Sequence, residues 1–307
     1  MKKLLSLLLA AALLLSFAAC GAGNGGETTT EAPTETAEAT VPAPENPTIR
    51  LATTTSVNDS GLLPYLLPTF EQKTGYKVEV ASAGTGVAIG YAESGDADLI
   101  LVHSKAKEEE FIEKGFASTE RLSFMYNFFV ICGPADDPAG IADAETAADA
   151  FKSIADAALP FASRGDDSGT HNKEKGIWEA AGIDPAGESW YNSLGSGMGD
   201  TLTKANELNA YVLTDKATYL SMKDSLPNLT ILKAEADDMK NTYSLIGVNP
   251  AAKEFEGKDV AINTEGANAL IDWLLSEEAF NLIREYGKEQ YGEQLFFTID
   301  DAMKAAA

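Results

Sequence analysis

Cysteine is scarce in this sequence: there are 2 in 307 residues, and only Cys132 lies beyond the N-terminal segment. No disulfide framework can staple such a chain, so a buried core must hold it together. Histidine is equally rare, with His103 and His171 the only 2. No Cys/His cluster has metal-site spacing, so neither a metal cation nor a cofactor is expected. Cations are outnumbered, 23 Lys and Arg against 47 Asp and Glu, for a net charge of -24. A field of that sign favours solubility and opposes nucleic-acid binding. It still permits an anion to be held, but only by an enclosed, local set of donors.

No apolar run here spans a bilayer comfortably, which takes about 20 residues. Residues 4–19 are apolar except for Ser6 and Ser16 and follow Lys2 and Lys3, the pattern of a secretory signal over 1–19. Ala18-Ala19-Cys20-Gly21 then resembles a lipobox, with Phe17 where that motif prefers Leu. It implies a lipidated Cys20 that anchors the protein to the outer face of a membrane. Residues 21–47 contain no aromatic and no basic side chain, and their Glu residues repel one another. Residues 20–47 therefore read as the lipidated Cys and an extended, solvated tether.

The body from residue 48 to 307 is comfortable for two lobes of ordinary domain size. Strand, turn and helix alternate along it. Strands are predicted over 49–53, 77–81 and 98–103, each followed by a polar or Gly-rich turn and a helix. A second such series has strands over 159–163, 210–213 and 243–248 and helices over 170–181 and 200–209. Helices over 266–275 and 278–286 close the chain. This alternation predicts right-handed βαβ units and an α/β fold with mostly parallel sheets. Ligands in such sheets sit beyond the carboxyl ends of the strands. Cys132 closes the apolar run Phe128-Phe129-Val130-Ile131 and is expected to pack rather than react.

Three turns carry chemistry. Thr53-Thr54-Thr55-Ser56 places hydroxyls at a strand end. Ser82-Ala83-Gly84-Thr85-Gly86 lets the backbone approach a ligand with helix amides behind it. The run from Ser163 through Arg164, Asp166, Ser168, Gly169 and Thr170 to His171 offers a guanidinium, hydroxyls and a helix N-terminus. Each turn taken alone also fits helix capping. Their hydroxyls, amides and guanidinium can all donate, which suits a fully deprotonated oxyanion. Asp166 and Asp167 are expected to orient Arg164 or brace the loop rather than face the ligand.

These turns, with Val102-His103 and Ala210-Tyr211-Val212-Leu213-Thr214-Asp215, resemble the tungstate-binding proteins of ABC importers, within the type II periplasmic-binding-protein fold. The resemblance implies two lobes, residues 48–131 with 245–307 and residues 132–244, joined by two crossovers with the ligand in the cleft between them. It implies Thr54, Thr55, Ser56, Ser82, Thr85, Arg164, Ser168, Gly169, Thr170 and Tyr211 as the ligand shell. His103, Asp166, Gly84 and Gly86 are supporting or further candidates. It also implies a permease and its ATPase as partners, a monomer, and a secreted or periplasmic location.

Asp166 bears on the choice of anion. Phosphate is partly protonated at neutral pH, and its binders can use a carboxylate to accept that proton, whereas tungstate, molybdate and sulfate need none. A Ser hydrolase is the alternative from another class, but Ser168 and His171 do not form G-x-S-x-G and lack a supporting third group. His171 is expected to be structural.

Overall fold

The computed structural model describes residues 44–234 and 236–300, all within one contact unit spanning residues 41–307. The predicted signal at 1–19, lipidation of Cys20 and most of the 20–47 tether lie outside the described residues. The chain opens with β1 (Thr48–Thr54), α1 (Thr55–Asp59), α2 (Leu62–Thr74), β2 (Lys77–Ala83), α3 (Thr85–Ser94), β3 (Leu99–Val102) and α4 (Lys105–Glu113). It continues through β4 (Leu122–Gly133), α5 (Ala147–Asp156), β5 (Phe161–Ser163), α6 (Gly169–Ala180), β6 (Tyr191–Ser193), α7 (Met198–Leu208), β7 (Tyr211–Asp215) and α8 (Lys216–Met222). The last elements are β8 (Thr230–Ala234), β9 (Lys240–Gly247), α9 (Thr264–Leu274), α10 (Glu277–Glu285), α11 (Lys288–Tyr291) and β10 (Phe297–Thr298).

The strands form a 10-stranded mixed sheet in the order β2-β1-β3-β9-β4-β7-β5-β6, with β8 and β10 both on β4. Parallel pairing is confined to the βαβ units: β1 with β2 and β3, and β5 with β6 and β7. The expectation of mostly parallel sheets therefore holds only within those units. β4 and β9 run antiparallel to their neighbours; β9 is inserted between β3 and β4, the two strands that α4 connects, and so separates a pair that run in the same direction.

β4 is the strand that both ends of the sheet share. Its first half pairs with β9 as far as Phe128↔Lys240, and from Phe129↔Asp215 it pairs with β7. Phe124 and Met125 pack with Leu51, Phe70 and Leu99. Phe129 and Ile131 pack instead with Phe151, Phe161 and Trp178, while Val130 and Cys132 face Leu202 and Val212 on the opposite side of the sheet. Helices cover both faces, so these strands read as unbroken apolar runs rather than alternating ones. Each fully buried Phe or Leu contributes about 1.5–3 kcal/mol relative to exposure. Cys132 is completely buried, and burial drives its thiol well above the usual range, as a packing residue requires.

Candidate functional site

The three turns leave β1, β2 and β5 at their carboxyl ends, and the pleat decides which side chains each one presents. Thr53 points sideways and donates to the Leu101 carbonyl (2.7 Å). Thr54, next along, shares a hydrogen bond with Ser56 (3.1 Å), and the Ser56 Oγ lies 3.2 Å from His103 Nε2. Thr54 occupies the N-cap position of α1 yet makes no side-chain cap bond. Capping therefore does not account for its hydroxyl. Thr55, the first residue of α1, is half-buried beside it.

His103 ends the third strand. Burial pushes its imidazole down to about 4, an effect that nearby Arg164 reinforces and a hydrogen bond with Asn241 opposes. At neutral pH the ring is uncharged. Behind it, Asn241 donates to Asn127 (2.9 Å) and to the Tyr243 hydroxyl (3.0 Å). This Asn127–Asn241–Tyr243 floor was not singled out from the sequence. The signal available was Asn127, a buried asparagine inside the otherwise apolar run of β4; Asn241, in the polar first half of β9, carried none.

In the second turn, Gly84 is the extended N-cap of α3 and Thr85 begins the helix. The Thr85 hydroxyl is buried with no hydrogen-bond partner. Gly84 faces the third turn, since a β-carbon on it would lie 3.8 Å from the Ser168 Cα. Ser82 and Gly86 are exposed, and no described contact joins either to the other turns.

The third turn is the most constrained. Arg164 is 3% exposed, and its Nη2 donates to Asp166 Oδ2 (2.6 Å) while its Nε is buried without a partner. The other Asp166 oxygen accepts the Ser168 amide (3.2 Å). Burial raises the Asp166 carboxyl, but hydrogen bonds from Ser168 and the Arg164 charge outweigh it and hold the group below its usual value. Ser168 is the N-cap of α6 and accepts the His171 amide (3.3 Å). The Thr170 hydroxyl is buried and unpartnered. The amides of Gly169 and Thr170 open the helix, where the intrahelical ladder does not reach.

Gly169 joins the first turn to the third. An added β-carbon would fall 2.0 Å from His103 Cε1, so only glycine fits against that ring. The structure thus brings together Thr54, Ser56, His103, Arg164, Ser168, Gly169 and Thr170, with Gly84 and Thr85 on the adjoining wall. Tyr211 is placed elsewhere. Its hydroxyl donates to Asp137 (3.0 Å) and accepts from the Ala139 amide (2.8 Å), and its ring lies in the core with Phe151 and Phe161.

His171 and Ser168 meet through the His171 backbone amide, while the imidazole Nδ1 accepts the Asp167 amide (2.9 Å). That ring nitrogen cannot serve as a base toward Ser168. Asp215, the end of the 210–215 run and given no role from the sequence, is completely buried and caps α8 through Thr218 (2.9 and 2.7 Å). Burial raises its carboxyl, and the Arg164 charge lowers it only in part. Among the described residues, no group of three or more His, Cys, Asp or Glu could hold a metal ion. The constellation is a set of hydroxyls, amides and a neutral imidazole around one guanidinium that Asp166 pairs.

Residues 41–278 match the PBP superfamily domain. The chain is 44% identical over 299 residues to the tungstate-binding protein TupA of Peptoclostridium acidaminophilum, covering 96% of this chain and 98% of that protein. It is similar to the solved structure of the tungstate ABC transporter from Geobacter sulfurreducens, with a TM-score of 0.69 at 44% identity, covering 78% of this chain and 98% of that one. The tungstate-binding protein TupA from Desulfovibrio alaskensis G20 superposes with a TM-score of 0.70 at 37% identity, covering 82% of this chain and 98% of its own.

Proposed function

This chain belongs to the PBP superfamily and, within it, to the family of the tungstate-binding protein TupA, and from that premise we propose that it captures tungstate and hands it to the permease and ATPase of an ABC importer. It is a solute-binding protein and not an enzyme. The observation that carries the reading is the group of buried donors without acceptors: the Thr85 hydroxyl, Arg164 Nε and the Thr170 hydroxyl. An unpartnered buried polar group costs about 1–3 kcal/mol, and a charged one more. Donors left unpaired on turns that touch one another fit a ligand that only accepts.

Tungstate is such a ligand, a dianion with four oxygens and no proton to give. Asp166 is paired with Arg164 and braces the Ser168 amide, one oxygen on each, so its contacts fit a residue that orients the guanidinium. We assign Thr54, Thr55, Ser56, Thr85, Arg164, Ser168, Gly169 and Thr170 to the ligand shell, with His103 as a neutral neighbour. Ser82 and Tyr211 do not share the supporting contacts.

The reading includes two lobes, residues 48–131 with 245–307 and residues 132–244, closing on the anion as a hinge. The change of partners along β4 between Phe128 and Phe129 supports a crossing in that stretch. A monomer outside the cell, anchored through Cys20, completes the proposal.

Calorimetric titration with tungstate, molybdate, sulfate and phosphate tests it. Tungstate should bind one-to-one and tightly, with phosphate silent. Arg164→Ala should weaken tungstate by at least about a hundredfold, as expected when one member of a buried charge-assisted contact is removed. Unchanged affinity in that variant would remove Arg164 from the shell. Phosphate binding alone would replace the ligand while keeping the transport role.

A further inference from the structure

Adjoining the site described above lies a cleft of about 380 Å³ that shares His103, Gly169 and Asn241 with it. Its charged lining consists of Lys105, Arg121, Lys173 and Lys240, without one carboxylate among the described lining residues. In a chain with 47 acidic and 23 basic residues, such a concentration runs against the composition. Two of the four cations are already partnered. Glu108 holds Arg121, and Glu109 lies 3.6 Å from the Lys105 ammonium. Lys240 is exposed at the start of β9, with its ammonium 3.8 Å above the centroid of the Tyr126 ring. Lys173 projects from α6. Burial pushes its ammonium below the usual lysine range, and the Asp238 carboxylate opposes that shift. An anion in the cleft would supply what burial takes from Lys173.

We propose that this cleft is an outer oxyanion subsite, where Lys173 and Lys240 catch the incoming dianion before it passes between His103 and Gly169 to the buried donors. The inference rests on the oxyanion-binding reading above. A net charge of -24 repels a dianion at long range. Charges are screened beyond about 8 Å at physiological ionic strength, so a local cationic wall governs the last stage of approach. Clefts of one sign raise association rates by about 10–1,000-fold. His103 and Gly169 form the partition: they are in contact here, and their separation would open the inner site to the cleft.

Stopped-flow measurement of tungstate association and dissociation across a range of ionic strength tests the assignment. The variants are Lys173→Gln, Lys240→Gln, the pair together, and Lys152→Gln on α5 as a charge control outside the cleft. In the double variant the association rate constant should fall about tenfold at low salt. Its salt dependence should flatten, while dissociation changes by less than about twofold. Lys152→Gln should match the unaltered protein, and Lys173→Arg with Lys240→Arg should restore the rate. The proposal is overturned if the unaltered protein binds tungstate and the double variant keeps its association rate and salt dependence. It is also overturned if the loss appears in dissociation alone, which would place these lysines in the buried shell. Absence of binding in the unaltered protein would remove the function itself, and this subsite with it.

Discussion

Arg164 makes one hydrogen bond and keeps another donor in reserve. Its Nη2 is held by Asp166 while its Nε is buried and unpaired, so the guanidinium is oriented before any ligand arrives. Pre-orientation of that kind lowers the entropy cost of binding. Below it, Glu174 gives the site a pH dependence that does not involve the anion. Burial raises this carboxyl from 4.5 to about 7, against hydrogen bonds from Tyr191, Ser163 and Trp178 that lower it. The folded protein therefore keeps a proton that the unfolded chain releases. Stability from Glu174 is present below pH 4.5, is lost as pH rises toward about 7, and stays lost above it. His103 works the other way. Its folded value near 4 lies below 6.5, so its contribution is complete above 6.5 and is lost as pH falls through that window. Between 4.5 and 6.5 the two slopes oppose; above 6.5 Glu174 alone remains. Glu174→Gln keeps the Oε1 acceptor that Trp178 and Tyr191 use. Its thermal midpoint relative to the unaltered protein should rise between about pH 6 and pH 8, by the equivalent of roughly 1 kcal/mol. A parallel pH profile for the two proteins would show that Glu174 does not titrate there.

At the scale of elements, α6 serves three needs at once. Ser168 caps it, its first amides face the donor set, and its second residue carries the unpartnered Thr170 hydroxyl. Capping was the competing sequence explanation for all three turns, and the structure separates them. Ser168 does cap, whereas Thr54 makes no cap bond and Thr85 follows a glycine N-cap. Gly169 makes the element exacting, because a methyl group there would enter the His103 ring. Relieving that overlap costs about 1–3 kcal/mol, and the first and third turns are the surfaces that must separate. Gly169→Ala should therefore weaken tungstate by about tenfold to a hundredfold while the far-ultraviolet circular dichroism stays unchanged. Full affinity in this variant would show that the contact is not part of the bound state.

For the whole molecule, the acidic surface and the cationic cleft divide the electrostatic work between solubility and capture. The same surface would keep the body clear of an anionic membrane, which suits the proposed anchor at Cys20. Cys20→Ser is expected to move nearly all of the protein from the membrane fraction to the soluble fraction of producing cells. Persistent membrane association would exclude Cys20 as the anchor. β4 gives the body its continuity, contributing Phe124 to one core and Phe129 to the next without leaving the extended conformation.

The sequence by itself determined the α/β class, the βαβ units and the three donor turns, because those depend on local periodicity, helix starts and residue chemistry. It grouped Arg164, Ser168, Gly169 and Thr170 as proposed ligand residues because they fall within one short run of the chain. The antiparallel roles of β4 and β9 were beyond it, since a strand buried on both faces carries no periodicity that reveals its direction. Only the tertiary structure separated Thr54, Ser56 and Arg164, which meet the partition or carry its charge, from Tyr211, whose hydroxyl is bound to Asp137 and Ala139. Only it set His103 against Gly169 and gathered Lys105, Arg121, Lys173 and Lys240 around one cleft. Those residues come from four separate stretches, and their adjacency follows from strand order, which local sequence does not encode.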